Sequence, residues 1–321
     1  MIQYFESSKG VLKQLDYNSI EDESQIDLND KWINMLNPDD KEIELISRLT
    51  GVQEDMIKAA LDEEESSRIE NEDGVLMALF DIPTTEDKDD YYTYSTLPFA
   101  YIRTRNTVIT VCLAEHTSII NDFITGRAKG VSVAKRTRFL LQLMYKNSVK
   151  FLQYLRQIDK TSKRVQGELH KSMKNKELIQ LLELENSLVY FSTALRSNQI
   201  LLDKFEKIDR PNFYEEDEDL LEDVRIENRQ ALEMCNIYSD ILSGTMDAFA
   251  SVISNNLNIV MKLLAAITIL IAIPSMIAAF WGMNTGVPWE GNVWGFWIVI
   301  GISAVICIVT AFLLWRKNML K

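Results

Sequence analysis

The chain has 321 residues, 47% hydrophobic and 25% charged, with 34 Lys and Arg against 47 Asp and Glu, for a net charge of −13. That length allows two or three compact units with real cores. Residues 263–315 carry one charge, Glu290, and Arg316, Lys317 and Lys321 follow, so the first 262 residues hold −15. An acidic body of this size excludes nucleic acid as a partner, which needs a basic footprint. Cys112, Cys235 and Cys307 lie far apart, against a disulfide framework or a thiolate zinc site and in keeping with a reducing compartment.

Residues 1–127 read as an α/β domain. The opening MIQYFESSKG lacks the basic-then-apolar pattern of a signal peptide, so this part is expected to stay in the cytoplasm. Helical pieces are predicted at 41–50 and 53–62 and a buried strand at 75–80. Two β-rich runs at 91–102 and 107–113 are joined through Arg105-Asn106, which reads as a hairpin connection. From 128 to 208 the character is helical: 131–170 and 176–207 have apolar residues at helical spacing and no proline, with a turn at the polar 171–175 stretch. Asp209-Arg210-Pro211 then reads as a break and a new start, with acids at 215–219 suited to the first turns. The helix that follows is predicted to form a stalk over 209–262. Val224, Ala231, Cys235, Tyr238, Leu242 and Phe249 make a coiled-coil-like seam there, facing either other copies or the helix's own domain.

Two uncharged segments follow. Residues 263–281 would span roughly 28 Å as a helix and 294–315 about 33 Å, each close to a bilayer core of roughly 30 Å. The first transmembrane helix is bounded at 263–283, an external loop at 284–293, the second at 294–315 and a basic tail at 316–321. Lys262 and the tail are basic and the loop is not, which predicts a multi-pass cell-membrane protein with both termini cytoplasmic. Trp281, Trp289, Trp294 and Trp297 would form the outer aromatic belt. Two helices cannot enclose a water path, so the chain is either a membrane-anchored domain or one copy of several around an axis. The first span is the better lining candidate. Met261, Leu264, Thr268, Ala272 and Ser275 recur three or four apart on one face, although a small-residue packing face would look the same. The second span is apolar nearly all round, which suits lipid.

Enzymatic signatures are missing. The chain has no GxxxxGK[ST], GxGxxG or GxSxG motif, and His116 and His170 have no ligand-spaced partner. The expectation is a protein that is not an enzyme, uses no organic cofactor and draws no energy from ATP.

Gly282-Met283-Asn284, at the end of the first span after Pro274-Ser275-Met276-Ile277-Ala278-Ala279-Phe280-Trp281, resembles the signature of the CorA-type magnesium/cobalt transport family. The stretches at 240–244, 254–258 and 260–262 also resemble that family's stalk, and Glu222-Asp223-Val224 its earlier acidic stretch. The likeness is close over 222–321 and general before that. It implies a funnel-shaped homopentamer with a cytoplasmic α/β domain, long stalk helices and a central pore lined by the first span. In family terms Gly282, Met283 and Asn284 form the selectivity motif, with Asn284 first among them and Gly282 allowing a tight turn. Glu290 stands where the family has an acidic loop residue, against the plainer reading of a solvated acid. The pore-lining set carried over is Asn258, Met261, Leu264, Thr268, Ala272 and Ser275, with Met261 and Leu264 as an apolar constriction.

The resemblance further implies Mg²⁺ as both transported ion and regulatory ligand. Cytoplasmic Mg²⁺ would bind between subunits through Asp223 and a loop acid, Glu86 or Asp87, in the run that follows the 75–82 strand. Magnesium prefers oxygen donors and dehydrates reluctantly, which suits a ring of Asn284 amides around a hydrated ion. The expected activity is potential-driven Mg²⁺ uptake, with Co²⁺ and Ni²⁺ as further cargo, gated by cytoplasmic Mg²⁺. The alternatives are a zinc or efflux-directed relative, or a membrane-anchored sensor that conducts nothing. Trp281 and Thr285 replace the family's usual tyrosine and phenylalanine, which leaves the preferred ion open. The partners implied are further copies of the chain, the bilayer and divalent cations.

Overall fold

The computed structural model describes every residue except 9, 18–25, 89–90, 114–117, 129, 173–174, 290, 318 and 320–321. The chain divides into two units, Met1–Ser243 and Gly244–Lys321.

One mixed sheet organises the first unit. Its strands are β1 (Ile2–Ser8), β2 (Val11–Leu15), β3 (Lys31–Leu36), β4 (Arg68–Glu72), β5 (Val75–Lys88), β6 (Tyr91–Arg103) and β7 (Thr107–Cys112), in the spatial order β2-β1-β3-β7-β6-β5-β4. Every pairing is antiparallel except β3 with β7, where Ile33 lies opposite Ile109. All six residues of β7 are buried, as expected for a central strand covered on both faces.

Side chains alternate across the sheet and feed two cores. On one face Ile33, Met35, Met77, Leu79, Ile109 and Val111 pack with residues of α1 (Asp40–Thr50) and α2 (Glu54–Lys58). A capping box starts α1: Asp39 accepts the Glu42 N–H at 2.8 Å, and the Glu42 carboxylate accepts the Asp39 N–H at 3.1 Å. Gly51 closes it in the left-handed region, with φ 73°. On the other face Trp32, Leu76, Phe80, Phe99, Tyr101 and Val108 form a core with Phe123, Phe139, Phe205 and Val224. These come from α3 (Ser118–Ile124), α4 (Arg136–Ser172), α5 (Asn175–Asp209) and the start of α6 (Glu215–Trp281). A polar chain crosses this core: Trp32 Nε1 donates to Thr110 Oγ1 at 2.8 Å, and Thr110 donates to Asn34 Oδ1 at 2.9 Å.

A polar knot ties β6 to the helices. Arg103 grips the Asp209 carboxylate with two hydrogen bonds of 2.7 Å, and Thr137 and Asn212 each donate to the same carboxylate at 2.7 Å.

Two features differ from the sequence reading, and a third selects between its alternatives. First, β5 runs on to Lys88, so Glu86 and Asp87 stand in a strand rather than a loop, opposite Thr93 and Tyr92 of β6. Acids disfavour strands, but the Thr- and Tyr-rich partner supplies a ladder that carries them. Second, β1, β2, β3 and β4 were not foreseen. Third, the seam on α6 is covered within the chain. Val224, Ala231, Cys235 and Leu242 are at most 2% exposed, Asn228 Nδ2 donates to the Leu195 carbonyl at 3.0 Å, and the Cys235 thiol donates to that of Leu188 at 3.1 Å. These positions therefore serve intramolecular packing on α5. Burial pushes the Cys235 thiol up to about 12, which leaves it unreactive.

The second unit contains the remainder of α6 and α7 (Val293–Arg316).

Candidate functional site

Both helices of the second unit are long and apolar enough to cross a membrane. Ala266 of α6 is buried and Leu270, Ile273 and Ile277 are half-buried, while on α7 Gly295 and Leu314 are buried and Val299, Ser303, Cys307 and Thr310 half-buried. The two helices thus meet along a seam that includes small residues, as membrane helices do. Cys307 marks the contact: its thiol reaches the Leu270 carbonyl at 3.7 Å. Pro274, four residues on, has no N–H to give that carbonyl, so the thiol occupies the place the proline leaves open.

Asn258, Met261, Leu264, Thr268, Ala272 and Ser275 are all exposed. At about 100° per residue, Asn258 lies to one side and the stripe from Met261 to Ser275 is centred about 170° from the α7-facing set. It therefore lies on the opposite side of α6, uncovered by any described part of its own unit. Thr268 donates its hydroxyl proton to the Leu264 carbonyl at 2.8 Å, and Ser275 to that of Ile271 at 3.1 Å. With the protons spent on the backbone, the hydroxyl oxygens keep lone pairs for water or a cation.

α6 ends at Trp281, and the three following residues form an exposed turn. The Gly282 N–H donates to the Ala278 carbonyl at 2.9 Å and the Met283 N–H to that of Phe280 at 3.4 Å. Gly282 is not in the left-handed region, contrary to the expectation of a glycine-specific turn. It matters through close approach, since a Cβ there would stand 3.3 Å from the Ala278 oxygen. Asn284 is exposed. Glu290 lies outside the described residues.

The connection to α7 is braced. Trp281 Nε1 donates to the Pro288 carbonyl at 3.2 Å, and Trp289 adopts φ 64°. The Trp289 carbonyl accepts the Asn292 N–H at 3.2 Å, and the Asn292 side chain caps α7 through the Trp294 N–H at 3.0 Å. A Cβ on Gly295 would meet the Trp289 oxygen at 2.8 Å. Ile277, Phe280, Trp281, Val287, Pro288 and Val299 line an apolar hollow of about 250 Å³ beside this brace. The sequence reading missed the brace, although Gly295, in the run Trp-Gly-Phe, was its visible signal.

Of the acids expected to hold regulatory metal, Asp223 is exposed on α6, and Glu86 and Asp87 are exposed on β5. As neighbours in a strand, those two project from opposite faces. Glu86 takes the face of Leu76 and Phe80, which pack on the helices α3 to α6, and Asp87 the face of Met77 and Leu79, which pack on α1 and α2. Among the described residues, no group of three or more His, Cys, Asp or Glu is placed to hold a metal. Asp223, Glu86 and Asp87 do not form such a group within one chain.

Comparison with known proteins supplies the frame for these features. A family model described as CorA-like Mg2+ transporter protein matches residues 30–317. The cobalt/magnesium transport protein CorA of Methanocaldococcus jannaschii is 26% identical over 301 residues, covering 89% of this chain and 90% of its own. The complete structure of the CorA magnesium transporter from that organism aligns with a TM-score of 0.77 at 22% identity, over 98% of this chain and 96% of the other. The cytoplasmic domain of ZntB from Vibrio parahaemolyticus aligns at 0.58 with 12% identity, over 80% of this chain and 97% of the other. At those identities the two structural likenesses are of fold.

Proposed function

Because the chain belongs to the CorA-like Mg2+ transporter family and is thus a divalent-cation transporter, we propose that it assembles as a homopentamer around the exposed α6 stripe and passes Mg²⁺ inward along it. The observation that carries this reading is the position of the stripe. Met261 through Ser275 lie opposite the α7 contact and lead to Gly282-Met283-Asn284, so each copy offers a lining face while α7 takes the lipid side. Met261 and Leu264 form the apolar constriction, and five Asn284 amides meet the hydrated ion at the mouth, with Glu290 concentrating cations outside it. The stripe and mouth offer oxygen donors and no His or Cys, which favours magnesium over zinc. With the first unit in the cytoplasm, a divalent ion gains about 4–5 kcal/mol on entering across roughly 100 mV, so no ATP is needed.

Cytoplasmic Mg²⁺ closes the assembly. It bridges Asp223 of one copy to Glu86 or Asp87 of the next and offsets repulsion between acidic bodies; its loss lets them separate.

The test is uptake into proteoliposomes loaded with a magnesium-sensitive dye, under an inside-negative potential and low internal Mg²⁺. Wild type takes up Mg²⁺ and Asn284→Ala loses most of the flux. Correctly assembled wild type that admits no Mg²⁺ overturns the reading; flux of Zn²⁺ instead, uncompeted by Mg²⁺, turns it into a zinc transporter.

A further inference from the structure

A cleft of about 410 Å³ opens in the first unit where the β4–β5 turn, the β6–β7 turn, the amino end of α4 and the residues leading into α6 converge. Its charge runs against that of the molecule. Arg103, Arg105, Lys135 and Arg136 line it, and no described Asp or Glu does, although the first 262 residues carry a net −15. Arg103 is neutralised by Asp209 at 2.7 Å and Arg136 by Asp30 at 2.6 Å. Arg105 and Lys135 have no ion-pair partner among the described residues. Lys135 is held 5.0 Å over the Tyr214 ring, and Glu216, whose carboxyl Arg138 and Lys135 pull below the usual carboxylate range, is taken by Arg138. Arg136 Nε is closed to solvent and lacks a hydrogen-bond partner.

The helix end adds to this field. The first turn of α4 has no acid and is flanked by Lys135, Arg136 and Arg138, so basic side chains crowd the end where the helix dipole is itself positive. Asp30 and Glu216 compensate Arg136 and Arg138, which leaves Lys135 and the helix end itself as the positive charge that an anion in the cleft would meet. The volume falls in the range of small-molecule sites and is generous for a lone inorganic anion. Uncharged polar groups, Asn71, Asn212 and Tyr214, share the lining with the cations.

We propose that this cleft binds a nucleoside di- or triphosphate. Its phosphates are held by Arg105, Lys135 and the amino end of α4, and its uncharged part lies toward Asn71, Asn212 and Tyr214. Bound there, the ligand bridges two sheet turns, α4 and the entry to α6. The proposal concerns a site within one chain and stands whether or not the protein conducts Mg²⁺.

The experiment is equilibrium dialysis of the full-length protein in detergent against radiolabelled ATP, at fixed free Mg²⁺, with ADP, inorganic phosphate and sulfate as competitors. The Arg105→Ala/Lys135→Ala double variant removes two cations that hold no ion pair, and its thermal melt should match wild type. Wild type binds ATP saturably, ADP competes, added salt weakens binding, and the double variant binds about tenfold more weakly or worse. Absence of saturable ATP binding by wild type overturns the proposal. So does unchanged affinity in the double variant, which would put the nucleotide elsewhere. Displacement by inorganic phosphate at the same concentration as ADP would overturn the nucleotide assignment, leaving a simple anion site.

Discussion

Gly295→Ala tests the brace between the two apolar helices directly. A Cβ at this position would sit 2.8 Å from the Trp289 carbonyl oxygen, 3.1 Å from its Cβ and 3.4 Å from Trp281 Cζ2. The nearest atom is backbone, it already accepts the Asn292 N–H, and Trp289 is held at φ 64°. The loop therefore has little room to yield. Overpacking of this kind costs about 1–3 kcal/mol, against about 1 kcal/mol gained when alanine replaces glycine in a helix, so the expected net loss is about 1 kcal/mol. Gly301→Ala on the same helix is the internal control. Nothing lies within 4 Å of a Cβ there, and only the propensity gain applies. Thermal unfolding in detergent should move down for Gly295→Ala and level or up for Gly301→Ala. Tryptophan emission should change only for Gly295→Ala, because Trp281 and Trp289 are the residues displaced. If both variants melt alike with unchanged emission, the close approach at Gly295 is not real and the reasoning fails.

Removing one partner of the buried Arg103–Asp209 pair by Asp209→Ala should cost about 3 kcal/mol or more, whereas Arg103→Met with Asp209→Leu should cost far less; equal melting losses would refute the pairing. Burial raises the Asp81 carboxyl above its usual range, partly opposed by the Ser67 hydroxyl at 3.1 Å. A raised folded-state value means the group's favourable contribution is complete at low pH and is lost as pH climbs from the unfolded value through the folded one. Asp81→Asn should therefore be more stable than wild type at neutral pH, with the difference vanishing in acid; a pH-independent difference would count against this. For gating, Asp223→Asn should raise the internal Mg²⁺ needed to shut off flux. Because Glu86 and Asp87 project from opposite faces of β5, only one of Glu86→Gln and Asp87→Asn should reproduce that shift, and identical effects from both would discount the strand geometry.

The fold class was legible because its signals are local. The uncharged runs, the proline-free amphipathic stretches and the β-rich pair around Arg105-Asn106 each declare themselves within a short window. What escaped depends on distant partners. The acids at 86 and 87 read as a loop because strand propensity counts against them, and only pairing with Thr93 and Tyr92 keeps the ladder going. The spacing of Val224, Ala231, Cys235 and Leu242 announced a buried face correctly, but spacing says nothing about what covers it, and here α5 does. At the candidate site the stripe was visible from its three-and-four rhythm. That Pro274 frees the Leu270 carbonyl also follows from the sequence; that Cys307 answers it does not, since a donor on another helix is found only by geometry.

The parallel pairing of β3 with β7 sets a timetable for making the protein. Residues 31–36 cannot take their central partner until residues 107–112 exist, about 80 residues later, which at roughly 5–20 residues per second is a wait of about 4–16 s on the ribosome. Through that interval Trp32, Ile33 and Met35, each fully buried in the finished sheet, stay uncovered on an open strand edge. A pause between the emergence of residues 31–36 and that of residues 107–112 from the ribosome lengthens that exposure and a later one does not, so the harm done by slow synthesis depends on where in the message the slowing falls.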